Sequence, residues 1–198
     1  NVLVVRNESP FKNVQQLIDF ARKNPGKLNM ASGGNGTTGH LGGELFKALA
    51  GVFMVHVPYR GAGPAITDLM GGGVDLMFDN IASSIPHIRS GRLRALGVSG
   101  AQRSPVMPDV PTIQEAGLKN YDTTAWGGVV GPAGMAQDVV QRLNRDINRA
   151  LTLPSAKQRH DAMAWEIITT APDGLMALAR AEAPRWAEVV RRSGAKVE

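Results

Sequence analysis

Three short segments gather residue types that can grip a small polar ligand: Ser32-Gly33-Gly34-Asn35-Gly36-Thr37-Thr38, Tyr59-Arg60-Gly61-Ala62-Gly63 and Asp79-Asn80. In the first, the glycines let backbone approach a ligand closely, and the N–H groups of a following helix point outward. Ser32, Thr37 and Thr38 add hydroxyls, so the segment suits a carboxylate or a phosphate. The same residues also fit a plain tight turn with Thr37 as an ordinary helix N-cap. Gly34-Asn35-Gly36-Thr37-Thr38-Gly39 formally matches the dinucleotide fingerprint. Where an NAD site wants an acid about 20 residues on, the chain has Tyr59-Arg60, and Arg60 suits an NADP 2′-phosphate instead. No Lys-Ser or Lys-Thr follows the glycines, which removes a P-loop. Arg60 either pairs with an anion or is a solvated charge, and Tyr59 is a rim contact. Asp79 either accepts from a ligand donor or caps a helix beginning at Ile81.

Catalytic chemistry finds little support. Ser83 and Ser84 have no nearby base, and no Gly-x-Ser-x-Gly elbow occurs. Cysteine is absent, excluding disulfides, thiolate metal sites and thiol nucleophiles. His40, His56, His87 and His160 show no i, i+4 pairing and no acidic partner at ligand spacing, so they read as packing or surface residues and no metal site is expected. Trp126, beside Gly127-Gly128, lines a cleft or packs at a hinge. Trp165, Trp186 and the eight methionines read as core.

The elements that must position these segments follow from periodicity. Val2 to Val5 is an apolar β-branched run that reads as a buried strand. Asn13 precedes Val14, Leu17, Ile18 and Ala21 at helical spacing, with Gln16 placed to complete a capping box. Strand Leu28 to Ala31, the glycine turn, and a helix from Thr38 to Ala50 with Leu41, Leu45, Phe46 and Leu49 inward come next. Strand Phe53 to Pro58, helix Pro64 to Met70, strand Val74 to Phe78, helix Ile81 to Arg89 and strand Leu93 to Val98 repeat the cycle. One-helix crossovers between strands imply a parallel sheet, with all three segments at its carboxyl edge. Further on, Pro111-Thr112 opens a short helix closed by Gly117, Thr124 to Val130 is extended, and helices cover Asp138 to Leu151 and Ser155 to Met163. Glu166 to Thr169 is a candidate last strand, and a helix from Asp173 to Arg192 must kink or split at Pro184.

The chain has 198 residues, 43% hydrophobic and 20% charged, enough apolar material for a real core. No apolar run approaches the ~18 residues of a membrane span, so membrane insertion is not expected. No signal segment opens the chain, which therefore reads as mature or trimmed. The net charge of +5 is dispersed, and with three Trp, two Tyr and five Phe a nucleic-acid surface is not expected. A small anionic ligand is the milder implication.

In order and spacing, Asn29-Met30-Ala31-Ser32-Gly33-Gly34-Asn35-Gly36-Thr37, His40-Leu41-x-x-Glu44-Leu45-Phe46-Lys47, Val55-His56-Val57-Pro58-Tyr59-Arg60-Gly61 and Asp75-Leu76-Met77-Phe78-Asp79-Asn80 resemble the TctC-type, or Bug-type, substrate-binding receptors of tripartite tricarboxylate transporters. The resemblance continues through Gly91 to Leu96, Arg103 to Thr112, Glu115-Ala116-Gly117, Trp126 and Pro132-Ala133-Gly134, over essentially the whole chain.

It implies an α/β periplasmic-binding-protein fold of type II: a parallel-sheet lobe with one-helix crossovers, plus part of a second lobe. Residues 1–123 would form the complete lobe, with hinge strands near 2–5 and 123–126. Residues 124–198 would be the mainly helical C-terminal part of the other lobe, whose opposite jaw normally begins upstream of Asn1. The implied function is non-enzymatic, cofactor-free capture, in the periplasm, of a small carboxylate: a di- or tricarboxylate, an acidic amino acid or an aromatic acid. Membrane permease subunits would receive it. The ligand loop falls on Ser32, Gly33, Gly34, Asn35, Gly36, Thr37 and Thr38, with Tyr59, Asp79 and Asn80 along the cleft wall. Met135-Ala136, in place of the usual Thr-Pro, and Pro184 depart from the pattern away from the cleft. An NADP-binding oxidoreductase domain and a ligand-sensing regulatory domain are the alternatives.

Overall fold

The computed structural model describes residues 1–194. The chain divides into two compact units, Asn1–Ala125 with the stretch beginning at Glu188, and Trp126–Ala187. In the first, β1 (Val2–Arg6), α1 (Val14–Lys23), β2 (Asn29–Ser32), α2 (Thr38–Ala50), β3 (Val55–Pro58), α3 (Ala62–Gly71), β4 (Leu76–Asp79), α4 (Ile81–Arg89) and β5 (Leu93–Val98) follow one another.

The strands form one sheet in the order β3-β2-β4-β1-β5. β2 is parallel to β3 and β4, whereas β1 is antiparallel to both β4 and β5. Four strands therefore run together, as the alternation implies, and β1 is reversed between two of them. Its direction is invisible in the sequence because a strand covered on both faces is apolar whichever way it runs. The reversal puts the start of β1 level with the ends of its neighbours, Val2 lying opposite Asp79 and Val98.

Alternation along β1 feeds two cores. Leu3 and Val5 pack with Val14, Leu17, Phe46, Phe78 and Tyr121 beneath α1 and α2. Val2 and Val4 pack with Ala65, Leu69, Met77 and Ile85 beneath α3 and α4. The period of two thus assigns successive residues to opposite faces of a fully covered sheet. At the start of α1, Asn13 Oδ1 accepts from the Gln16 amide at 2.9 Å. Gln16 Oε1 reaches back one residue further than the usual capping box, to the Lys12 amide at 2.7 Å.

α2 departs from expectation in which face it buries. Leu41 and Leu45 are only half-buried and Leu49 is 40% exposed; the covered stripe is Gly39, His40, Gly42, Gly43, Phe46 and Ala50. A Cβ at Gly39 would run into the Phe78 carbonyl oxygen, and one at Gly43 into the Met30 sulfur. Missing side chains here let the helix axis come closer to the sheet than leucines would allow.

Other expectations are also corrected. Residues 113–117 form turns rather than a helix, although Thr112 and Glu115 exchange both bonds of a capping box, at 2.7 and 3.0 Å. Gly117, at φ +110°, ends the segment after one turn, and Thr112 is drawn into a bridge with Val98. Residues 166–169 are not a strand, and residues 124–130 have no strand partner.

The second unit holds α5 (Gln137–Leu151), α6 (Pro154–Ala162) and most of α7 (Gly174–Ser193). α7 runs through Pro184 as one helix, losing the amide donor there while the turns around it hold the path. Trp165 is 60% exposed, and Met163 and Met176 are exposed, so none of the three is core. Trp186, half-buried, donates to Glu182 Oε2 at 2.8 Å. Among the described residues, no helix is long and apolar enough to cross a membrane.

Gly39→Ala is expected to lower the unfolding free energy by about 1–3 kcal/mol, because the new methyl meets backbone that cannot step aside. Gly63→Ala in α3, where a Cβ meets nothing within 4 Å, should be neutral or stabilising by up to about 1 kcal/mol. Urea unfolding of the two variants checks the contrast; equal losses would refute the close-packing account.

Candidate functional site

β2, β3 and β4 end at one edge of the sheet, with Ser32 opposite Pro58 in register and Ala31 opposite Met77. The three segments singled out in the sequence therefore meet there. Residues 32–38 lie against 59–61 through the Tyr59 amide on the Ser32 carbonyl at 3.0 Å and the Gly61 amide on the Gly33 carbonyl at 2.9 Å. Gly34 and Gly36 sit at φ +141° and +74°, conformations that side-chain-bearing residues rarely adopt. These two glycines let the chain turn sharply off β2 into α2.

The hydroxyls of this loop are largely committed to holding it. Ser32, fully buried, accepts from the Gly34 amide at 3.2 Å and donates to the Gly34 carbonyl at 3.1 Å. Thr37 donates to the Gly34 carbonyl at 2.8 Å and caps α2 by accepting from the His40 amide at 3.3 Å. Asn35, Gly36 and Thr38 are exposed. The Asn35 amide has no acceptor among the described residues, and Thr38 stands in the first turn of α2, where N–H groups lack intrahelical partners. What faces solvent is thus a rim of backbone donors at a helix N-terminus, where the helix dipole adds positive potential.

Two histidines that the sequence offered only as packing or surface residues support this loop from behind. His40 on α2 and His56 on β3 stack face to face, ring centroids 3.8 Å apart and planes 5° from parallel. His56 Nε2 lies 2.7 Å from Ser32 Oγ, and His40 Nδ1 accepts from the Gly36 amide at 3.1 Å. Glu44 follows His40 by one turn, its carboxylate 3.7 Å from His40 Nε2 and 2.6 Å from Lys47 Nζ. His40 thus does have an acidic partner at i+4, a spacing visible in the sequence. Its meeting with His56 was not visible, because it depends on how close α2 sits to β3. Burial pushes both imidazoles below the usual range, His56 to about 4, with the neighbouring His40 and then Lys47 adding to the effect on His56. For His40 the Glu44 carboxylate opposes that shift and Lys47 reinforces it.

Ser32 beside His56 has the spacing of a nucleophile and its base, but the serine is buried beneath its own loop, out of reach of a substrate carbonyl. Among the described residues, no three His, Cys, Asp or Glu side chains gather as metal ligands.

Along the rest of the edge, Asp79 is 4% exposed and accepts from Ser83 Oγ at 2.5 Å and Ser84 Oγ at 2.7 Å. Asp79 is the last residue of β4. The N-cap of α4 is Asn80, whose side chain makes no capping bond. Tyr59 donates its hydroxyl to Asp68, which holds the phenol in its protonated form with a pKa raised to about 12. Arg60 is exposed and makes no ion pair or hydrogen bond with a described residue. The Asn1 carboxamide was not singled out in the sequence. It is buried at this edge without a hydrogen-bond partner among the described residues. Trp126, in the second unit, donates to Glu182 Oε2 at 3.3 Å.

Ser84→Ala removes one of two hydroxyl donors from the buried Asp79 carboxylate and should cost about 1–3 kcal/mol of stability. Ser83→Ala should cost less, since solvent reaches that position. Denaturant midpoints of both variants, compared with the parent, test the ranking.

The family model described as tripartite tricarboxylate transporter family receptor, TctC, matches residues 1–195. A protein from the tcbD-tcbE intergenic region of Pseudomonas sp. strain P51 is 42% identical over 191 residues, spanning 96% of this chain and 57% of its own length. Two solved structures are similar throughout. R. palustris Rpa4515 with adipate has a TM-score of 0.90 at 35% identity, over 98% of this chain and 65% of that one. MatC (Rpa3494) from Rhodopseudomonas palustris with bound malate has a TM-score of 0.85 at 32% identity, over 96% and 65%. The chain thus spans somewhat over half the length of the curated relative and about two thirds of the solved ones. With that match running from Asn1 nearly to the end, and with its α/β lobe and strand-end loops, the chain belongs to the TctC receptor family, a family of solute-binding receptors rather than enzymes.

Proposed function

We propose that the chain carries the ligand-gripping lobe of an extracytoplasmic receptor that captures a small dicarboxylate or related carboxylate for a tripartite tricarboxylate transporter. The observation that carries this reading is the rim of backbone donors at Asn35 and Thr38, at the N-terminus of α2 and beside the ends of β3 and β4. A carboxylate needs several converging donors and little else, and a helix N-terminus supplies them with favourable potential. Two relatives of known structure were solved with dicarboxylates, adipate and malate. In this reading Ser32, Gly33, Gly34, Gly36 and Thr37 shape the loop while Asn35 and Thr38 present donors. Tyr59, Asp79 and Asn80 line the adjoining wall.

Residues 1–123 serve as one lobe, with residues 2–5 and 123–126 as its hinge connections, and the residues that follow belong to the other lobe up to Ala187, the stretch from Glu188 grouping with the first unit. The ligand acts by shifting the population between conformations of the receptor, and the ligand-bound form is what permease subunits in the membrane would recognise.

A thermal-shift panel of malate, adipate, citrate, glutamate, benzoate and NADPH tests the assignment. A rise in melting temperature with at least one carboxylate is expected. Thr37→Val, which removes the loop's cap and so loosens the rim of donors, should weaken that binding by about tenfold or more, whereas Asn35→Ala keeps its backbone donor and should weaken it less. Stabilisation by NADPH with none by any carboxylate would overturn the reading in favour of a dinucleotide site.

A further inference from the structure

The histidine stack behind the glycine loop is not needed to touch a ligand, yet it is joined to the loop at two points. The Gly36 amide donates to His40 Nδ1 at 3.1 Å, so that nitrogen carries a lone pair and the ring proton sits on Nε2, facing Glu44 Oε1 at 3.7 Å. Ser32 already donates to the Gly34 carbonyl and accepts from the Gly34 amide. Its remaining role towards His56 Nε2, 2.7 Å away, is as acceptor, which places a proton on that nitrogen too. In this arrangement both rings are neutral and every polar atom facing the loop has a complement.

We propose that His40 is a positioning residue of the ligand loop: while neutral it anchors the Gly36 amide, and protonation of its ring releases that anchor and loosens residues 34–38. The proposal rests on the reading of this loop as the carboxylate grip. An imidazolium donates from both nitrogens, so no flip of the His40 ring restores an acceptor for Gly36. Protonation of His56 has a different consequence, since the new proton goes to Nδ1 and the Ser32 contact survives. The two rings are therefore not equivalent, and His40 alone controls the loop.

Among the described residues, three charged or titratable groups face His40. From its own helix come Glu44, which favours the charged ring, and Lys47, which disfavours it and is itself paired with Glu44 at 2.6 Å. From β3 comes the His56 ring, stacked at 3.8 Å, where a second positive charge would be repelled. Solvent reaches the group through a depression of about 430 Å³ lined by Asn35, His40, Glu44, Lys47 and His56 among others. Burial lowers the His40 pKa from 6.5. The sign follows: at neutral pH the folded protein keeps the ring uncharged and the loop anchored, and the anchor is lost as pH falls through the lowered value.

Nuclear magnetic resonance of the whole chain, labelled with ¹⁵N, tests this without a ligand. At pH 7.5 the His40 ring nitrogens should report an unprotonated Nδ1. On acidification the Gly36 amide resonance should move with the midpoint of the His40 ring, and its exchange protection should fall about three- to tenfold, the worth of one hydrogen bond. In His40→Asn the carboxamide oxygen stands where Nδ1 stood and accepts from Gly36 at any pH, so the Gly36 response should vanish. A protonated Nδ1 at pH 7.5 in the parent chain, or a Gly36 amide indifferent to the His40 midpoint, would overturn the proposal even if the variant does not fold. Malate and adipate titrations at pH 7.5 and at a pH below the measured His40 midpoint form the second arm: beyond the loss that protonation of the ligands' own carboxylates causes in both proteins, binding should weaken further in the parent than in His40→Asn. Absence of binding at both pH values with Gly36 still tracking His40 would count against the carboxylate reading and leave the positioning role standing.

Discussion

The close seating of α2 on the sheet is the constraint from which the site follows. Gly39 lies against the Phe78 carbonyl, leaving no room for a methyl group, and Gly43 lies against the end of the Met30 side chain, which would have to move to admit one. Gly42 lies near the Tyr121 hydroxyl, which donates to its carbonyl at 3.1 Å. A helix held that close to β2 and β4 must begin at their ends, so its N-terminal amides are delivered to the edge where β3 and β4 also terminate. The same closeness presses the His40 ring onto His56 at stacking distance. Leucines at the three glycine positions would push the helix outward, and loop, stack and rim would separate together.

The loop is stiffened from within rather than by outside contacts alone. The Gly34 carbonyl receives the hydroxyls of both Ser32 and Thr37, Thr37 caps α2, and the Gly36 amide is held by His40. Polar side chains that would be ligand donors in a looser loop are spent on fixing its backbone, leaving main-chain groups to face solvent. That division suits a receptor: donors fixed before the ligand arrives lose little freedom when it binds. A parallel logic governs Asp79, whose buried carboxylate is held by two serine hydroxyls from the first turns of α4.

The second unit has a different balance. α5 and α6 bury no residue, and Val139 and Leu143, one turn apart on α5, stay exposed, as do Trp165 and Ile168. Its internal order rests more on polar ties, such as Asn144 and Asn148 both donating to the Thr170 carbonyl at 3.0 Å. The sequence of α5 is amphipathic, and its apolar residues divide: Val140, Ile147 and Leu151 are half-buried while Val139 and Leu143 stay exposed.

The sequence by itself determined the alternation of strands and helices in the first unit, the limits of α4 and β5, the cap at Asn13, the gathering of the three polar segments and the family. Each depends on local preference or on order along the chain: a period of 2 or 3.6, a cap residue, a glycine where φ must be positive. Tertiary structure alone decided the direction of β1, the glycine-lined face of α2 and the pairing of His40 with His56. It also ended the segment after Thr112 as a turn and left Trp165 in solvent. Those outcomes turn on distances between elements far apart in sequence. Hydrophobic pattern says which residues seek cover but not how close the cover comes. Leu41 and Leu49 show this best: Leu41 is only half-buried and Leu49 exposed, while Gly39, Gly42 and Gly43 take the closest approaches of α2 to the structure beneath it.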